Sequence, residues 1–441
     1  MSITERESKI YSEIMAEGRE RLKNELETLD EELSRRRDRK RYRDKGRRKT
    51  VVKTVMGEVE FSRRVYLDIE TRSYVYLLDE EEGLKEYGNI SPGIAELVAK
   101  SATESTYRET AREVSEMTGL RISHQTAWEL TQEVGKRLRK RPLGTGVLET
   151  KVLYEETDGL YLRMQGKARE GMQNGYREMK MGIAYAGIRE NGGRRRCAEK
   201  VAFGMLGDLE TFSERKEAEV ASRFDVNKIE QRFCNGDGAG WIMGKGIADG
   251  HWQLDRFHRN KAILEYLNEP GMRRQVFRFL NAKDVAGCLE YLEACVNSSS
   301  TEKEIEDRKA LLSYFTANKD YLLSYTEKEM KLPELNEGLV PARLGAMESN
   351  IFSLAAGRMK RNRCCWSAEG ANNLVYLICL KQTEQLDSAL KQIRMPRLAA
   401  EPEVRETRIY RAPLAVGRGY DGFHSADILP AKKAKHIPWE D

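Results

Sequence analysis

Three carboxylates stand where acidic side chains could do chemistry. Asp158 lies in KVLYEETDGLYLRMQ, a run that reads as a strand, where Asp is depleted. Asp237 lies in Asn235-Gly236-Asp237-Gly238, at the end of a second strand pattern, QRFCNGDGAGWI. Glu348 lies in GAMESNIFSLAAGRMK, a helical pattern rich in small residues. Three carboxylates brought together can hold two divalent cations about 3.5–4 Å apart, which activate a nucleophilic oxygen and stabilise the leaving oxygen of a phosphodiester. The glycines around Asp237 would let backbone or substrate approach closely. Each acid also has an ordinary reading as a surface or capping residue, Gly-Asp-Gly is also a plain turn, and Glu155 and Glu156 are alternates to Asp158. Between the second and third acids, HWQLDRFHRNKAI puts Asp255 three residues before His258, on one helix face. That pair reads as structural, since two ligands are too few for a metal site.

Composition narrows the cofactor and the compartment. Five His leave little room for a histidine-built metal site, so a cation would sit on carboxylates, which favour Mg²⁺ or Mn²⁺. Seven Cys without a CxxC pair argue against a disulfide framework and fit a reducing cytoplasm. No apolar run approaches the roughly 18–20 residues of a membrane span, and MSITERESKI lacks the apolar core of a secretory signal. The expected location is therefore cytoplasmic, on the nucleoid when bound to DNA.

Basic charge is concentrated. The net charge is only +5, yet eleven of the fifteen residues from Arg35 to Lys49 are Arg or Lys. Arg35, Arg36, Arg37, Arg47, Arg48 and Lys49 are candidate contacts to DNA phosphates, against the alternative of a solvated helix end. Downstream, Tyr107–Thr118 and a helix capped by Ser123 flank a turn at Gly119, the outline of a helix-turn-helix. His124, Gln125 and Thr126 would open its second helix, where base edges are read. Any helical hairpin shares this outline. Arg358 and Lys360, just after Glu348, could hold phosphates or form a solvated face.

The elements that must position these residues suggest a multidomain α+β protein. Residues 1–49 read as a helix and basic segment, with Ile10, Ile14, Leu22, Leu26, Leu29 and Leu33 on one stripe that packs on the chain or on another copy. Residues 50–90 form a small β segment and 91–142 the helix-turn-helix, with Ser91-Pro92 opening a helix. Pro142, Gly144 and Gly146 mark a boundary. Residues 151–246 give three strands (the third in CAEKVAFGML), a helix and a fourth strand, the opening order of a ribonuclease-H-like α/β core. Residues 247–339 read as an all-helical insertion, 340–395 as the second part of the core with the third acid, and 396–441 as an irregular tail.

The motifs together resemble a known group. Asp, two residues, then His between the second and third acids looks like the signature of the Mutator-like superclass of DDE transposases. TDGLYLRMQGK resembles the first-acid strand of bacterial insertion-sequence transposases. CNGDGAGWI followed by LDRFHRNK, ESN with RMKRNRCCWS, and the opening RRKTVVKTVMGEVEFSRRVY are similar to the Lre-type elements of Gram-positive bacteria, long described as uncharacterised proteins. The resemblance spans about residues 47 to 380. It implies a ribonuclease-H-like core with a helical insertion, and Asp158, Asp237 and Glu348 as catalytic and metal-holding acids. The third-acid region departs in WSAEGANNL, where Glu369 rivals Glu348.

The resulting expectation is a DNA transposase using Mg²⁺ or Mn²⁺. It would bind terminal inverted repeats of double-stranded DNA as a homo-oligomer, then cut and join strands. Two alternatives remain: a DNA-binding protein derived from a transposase but without catalysis, and a structure-specific nuclease on the same fold.

Overall fold

A computed structural model describes residues 1–84, 87–170, 174–239 and 250–394 of a mixed α/β chain. The tail expected at 396–441 lies outside the described residues. The described residues divide into two units, one of Met1–Arg141 with residues 369–394, the other of Pro142–Ala368.

The first unit opens with helix α1 (Ile3–Arg36), started by a capping box in which Ser2 and Glu5 exchange side-chain and backbone hydrogen bonds. Strands β1 (Tyr42–Thr54), β2 (Gly57–Asp68) and β3 (Ser73–Val75) form an antiparallel sheet in that order, and helix α2 (Leu77–Glu81) follows. The sheet therefore begins eight residues earlier than the sequence pattern suggests, and half of the basic block is strand. Charge hides the β signal there, because the outward residues of an edge strand are free to be Arg or Lys. The stripe on α1 divides. Leu22, Leu26, Leu29 and Leu33 pack with Val52, Val59, Phe61 and Leu78, whereas Ile3, Ile10 and Ile14 are exposed. Ion pairs tie helix to sheet: half-buried Arg64 meets buried Asp30 at 3.0 Å and the more exposed Glu31 at 2.8 Å.

Helices α3 (Pro92–Ala102), α4 (Tyr107–Thr118) and α5 (His124–Lys140) form a three-helix cluster with α4 and α5 joined through Gly119. Its core includes Ile94, Val98, Val114, Leu130 and Val134. Tyr376, Leu377, Leu380, Leu386 and Leu390 complete that core from two helices late in the chain, Ala368–Gln382 and Leu386–Arg394. Residues 369–394, read from sequence with the third acid, thus pack with the helix-turn-helix. Gly135 permits the approach, since a Cβ there would stand 2.8 Å from the Asn373 carbonyl oxygen. Asn373 accepts from Arg139 at 2.8 Å and donates to Gln132 at 3.0 Å.

The second unit is built on a five-stranded sheet. Its strands are β4 (Val152–Arg163) and β5 (Tyr176–Tyr185), then, past the hairpin of β6 (Gly187–Asn191) and β7 (Arg194–Ala198), β8 (Val201–Met205). Helix α6 (Leu209–Arg223) leads to β9 (Gln231–Gly236) and β10 (His251–Leu254). The spatial order is β10-β9-β4-β5-β8, with β4, β9 and β10 parallel and β5 antiparallel to both β4 and β8. The third sheet strand is shorter than CAEKVAFGML suggested, because Cys197 and Ala198 belong to the hairpin. The strand at 251–254 falls where the sequence reads as helix; four residues are too short a run to show a period of two.

Alternate residues of β4 enter different environments. Leu153 packs with Phe203, Phe212 and Phe224 on the α6 side. On that side Glu155 is buried and paired with Lys216 and Arg232, which removes it as an alternate catalytic acid. Helices α7 (Arg256–Tyr266), α8 (Pro270–Asn281), α9 (Val285–Asn297) and α10 (Glu302–Ala317) form their own core through Ile263, Val276, Leu292, Leu311 and Phe315. A short strand β11 (Leu339–Val340) pairs with β6. Helices α11 (Met347–Ile351) and α12 (Gly357–Met359) follow, separated by a π-helical turn at Phe352–Ala356.

Candidate functional site

The parallel pairing of β4 with β9 sets Glu156 opposite Asn235. Two residues further along come Asp158, still within β4, and Asp237, one residue past the end of β9 and not among the donor atoms that converge below. Asp237 immediately follows β9; its Oδ1 accepts from Ala239 N at 2.8 Å, and its carbonyl accepts from the Tyr314 hydroxyl at 2.7 Å. One sequence-identified aspartate is thus on β4 and the other directly follows its parallel neighbour β9.

Glu348 arrives from the far end of the unit. Its helix is anchored by Glu156, whose buried carboxylate accepts from Gly345 N at 2.8 Å, Met347 N at 3.1 Å and the Tyr185 hydroxyl at 2.5 Å. Gly345 has φ +105°, a conformation that L side chains rarely adopt. Glu348 follows in the first turn of α11, where the helix dipole favours a carboxylate.

His258 is the third arrival. Asp255 caps α7 by accepting from Phe257 N at 2.7 Å and His258 N at 3.3 Å, and its other oxygen accepts from Asn235 Nδ2 at 2.6 Å. The cap puts His258 in the first turn of α7, with Nδ1 3.6 Å from Asp255 Oδ1. One donor atom each of Asp158, His258 and Glu348 lies within 4.8 Å of the others. This corrects the reading of Asp255 and His258 as a pair apart from the acids. Asp255 does serve as a structural cap, but His258 reaches the carboxylates.

Burial and mutual charge set the electrostatics of the cluster. Burial pushes the Asp158 carboxyl up to about 6, and the charges of Asp237 and Glu348 push the same way, against the Gly159 N–H and His258. Asp255 raises the His258 imidazole above its ordinary value against the effect of burial, helped by Asp158 and Asp237. Burial would raise Asp255, yet hydrogen bonds with His258 and Asn235 hold it below the usual carboxylate value. Burial lifts Glu156. Carboxylates and an imidazole at these separations are a donor set suited to a divalent cation.

Glu369 is not in this cluster; it lies in the first turn of the 368–382 helix. The two rival acids do not share a continuous helix, because the π-helical turn and a 3₁₀ turn at Arg361–Arg363 intervene.

The basic candidates separate into exposed and committed side chains. Arg35, Arg36, Arg47, Arg48 and Lys49 are exposed, although Arg36 pairs with Glu32, Arg47 with Glu31 and Lys49 with Glu60. Arg37 instead donates to the Tyr42 carbonyl at 3.3 Å and stands over the Tyr66 ring at 5.4 Å. Arg358 is buried, 5.6 Å over the Trp366 ring, which leaves the phosphate role expected there to exposed Lys360. His124 and Gln125 are exposed at the start of α5, Gln125 donating to Glu129 at 3.0 Å. Thr126 is half-buried and its N–H is taken by Ser123.

An uncharacterised protein family, UPF0236, matches residues 1–390. The chain belongs to the UPF0236 family. A UPF0236 protein of Caldanaerobacter subterraneus subsp. tengcongensis is 27% identical over 380 residues, 84% of this chain and 76% of the relative, and its name joins eleven gene designations. A second from that organism, joining four designations, is 26% identical over the same length. A UPF0236 protein of Streptococcus gallolyticus is 27% identical over 342 residues, 74% of this chain and 71% of the relative. UPF0236 is thus a family with many paralogues. Among the described residues no helix is long and apolar enough to cross a membrane.

Proposed function

We propose that this UPF0236 chain is a DNA transposase that cuts and joins phosphodiesters at the ends of a mobile element. The observation that carries the reading is the convergence of Asp158, on β4, with Glu348, in the first turn of α11, while Asp237 directly follows the parallel neighbour β9. The sheet order, third-second-first-fourth-fifth in chain order of its strands, supports a ribonuclease-H-like core, as does the helical block inserted before Glu348. Relatives bearing many gene designations in one organism are what a self-copying element leaves behind.

Asp158, Asp237 and Glu348 would hold Mg²⁺ or Mn²⁺. Such a cation, when bound, supplies positive charge to the attacking and leaving oxygens of a phosphodiester. The chain's own share is positioning: the sheet fixes the two aspartates, Glu156 fixes the helix of Glu348, and Lys360 is placed to meet phosphate. Exposed residues of the first unit, Arg35, Arg36, Arg48, His124 and Gln125, would bind the element's terminal repeats, the arginines through phosphates and the α5 residues through base edges.

The test is divalent-cation-dependent cleavage and strand transfer on a duplex carrying the inverted repeats that flank the gene. Glu348→Gln should abolish both reactions and leave gel-shift binding intact, while Glu369→Gln should retain them. Full cleavage by the Glu348 variant with none by the Glu369 variant would reverse the assignment. Cutting without joining of pre-nicked ends would make the protein a nuclease instead.

A further inference from the structure

The donors that meet at the site are not chemically alike. Asp158 and Glu348 offer carboxylate oxygens, whereas His258 offers an imidazole nitrogen, all within 4.8 Å. Bonds of about 2.0–2.2 Å to one cation place ligand atoms roughly 2.8–4.4 Å apart, so the set closes on an ion with small side-chain movements.

A carboxylate also stands behind the ring. His258 Nδ1 faces Asp255 Oδ1 at 3.6 Å, and Nδ1 is buried without a hydrogen-bond partner among the described residues. Asp255 cannot readily turn away, because Asn235 Nδ2 and the Phe257 and His258 amides hold both of its oxygens. Asn235 is itself buried and accepts from Gln253 Nε2 at 3.1 Å. With Nδ1 facing Asp255, Nε2 is the nitrogen that remains for a cation. A carboxylate behind an imidazole that faces a cation is a recurrent ligand-orienting arrangement, and it fixes the tautomer.

We propose that His258 is itself a cation ligand, positioned by Asp255, so that the site is a mixed nitrogen-oxygen centre selecting Mn²⁺ or a later transition ion over Mg²⁺. Magnesium prefers an all-oxygen shell, whereas imidazole raises affinity along the transition series. Asp255 acts through His258 and is a positioning residue. The inference deepens the transposase reading, which supplies the reason for a cation but does not require an imidazole.

The experiment uses the full chain without DNA at fixed pH. Mn²⁺ binding is followed by electron paramagnetic resonance, with Mg²⁺ as competitor and pulsed detection of nitrogen coupling to the bound ion. The wild type should bind Mn²⁺, show imidazole nitrogen coupling, and need a large excess of Mg²⁺ for displacement. His258→Ala and the size-conserving His258→Gln should lose the coupling and weaken Mn²⁺ at least about tenfold with little change for Mg²⁺, circular dichroism confirming the fold. Asp255→Asn should keep the coupling but weaken Mn²⁺ by about tenfold. No Mn²⁺ binding by the wild type, no nitrogen coupling, or an unchanged Mn²⁺/Mg²⁺ ratio in both His258 variants would overturn the proposal. DNA cleavage by a wild type lacking nitrogen coupling removes the ligand and spares the transposase; coupling without any DNA cleavage does the reverse.

Discussion

The Glu156 carboxylate accepts the backbone N–H of Met347 at 3.1 Å, one residue before Glu348. Asp158 stands two residues beyond Glu156 on β4, so one strand supplies a site acid and also the fixing point for another.

Glu156→Ala would strand the Met347 N–H and the Tyr185 hydroxyl in buried surroundings and leave the more exposed Gly345 N–H without its acceptor. Unmade buried hydrogen bonds cost about 1–3 kcal/mol each, so a loss of roughly 3 kcal/mol or more is expected in urea unfolding. Glu156→Gln keeps an acceptor and should cost less. The Ala variant should also bind Mn²⁺ more weakly, because α11 loses its anchor; unchanged binding would separate Glu156 from the site.

Asp158 gives the site a pH dependence. Its folded pKa of about 6 lies above the unfolded value, so its stabilising contribution is full in acid and is lost as pH rises through about 6. In the absence of cation, Asp158→Asn should therefore raise stability at pH 7.5 by on the order of 1–2 kcal/mol after allowing for solvent screening, read as a higher melting temperature. Cation affinity should follow the opposite course, weakening as pH falls below about 6 and the carboxyl takes up a proton. A titration of Mn²⁺ affinity from pH 5 to 8 checks both the midpoint and the sign.

DNA binding should distinguish exposed arginines from committed ones. Replacing Arg35, Arg36 and Arg48 by Gln should reduce the slope of log affinity against log salt by about 2.7, at roughly 0.9 per phosphate contact. Arg37→Gln should leave the slope nearly unchanged and lower stability instead, since its side chain packs on Tyr66. Equal slopes for the wild type and the triple variant would assign the exposed arginines elsewhere.

Gly135→Ala tests the approach of the 368–382 helix. The added methyl would meet the Asn373 backbone at 2.8 Å, and overpacking of this kind costs about 1–3 kcal/mol. Thermal unfolding should show the loss, and a wild-type melting temperature would mean that the helix shifts freely.

What the sequence disclosed follows from how far each signal reaches. Asp158 and Asp237 were legible because an Asp in an apolar strand and an Asp between glycines are locally unusual. Caps at Ser91 and Ser123 were legible because capping is settled within four residues. The meeting of His258 with Asp158 was not, since it depends on β10, a four-residue strand that delivers α7 to the sheet edge. Glu156 looked like a spare acid, and only the fold reveals its partners at Gly345 and Met347. Arg358 sat in a basic run that reads as surface, whereas the ring of Trp366, eight residues on, takes it inside.

The helix-turn-helix core is closed by side chains from Tyr376 to Leu390. A ribosome must therefore complete residues 142–368 before those partners exist, roughly 10–45 s at about 5–20 residues per second. During that interval the apolar face of α3, α4 and α5 waits uncovered on the nascent chain. A message truncated inside the second unit would yield an unfinished first unit, prone to aggregation and proteolysis. Completion of the first unit is in this way tied to completion of the second, so that a folded first unit marks a chain whose synthesis has passed the site acids.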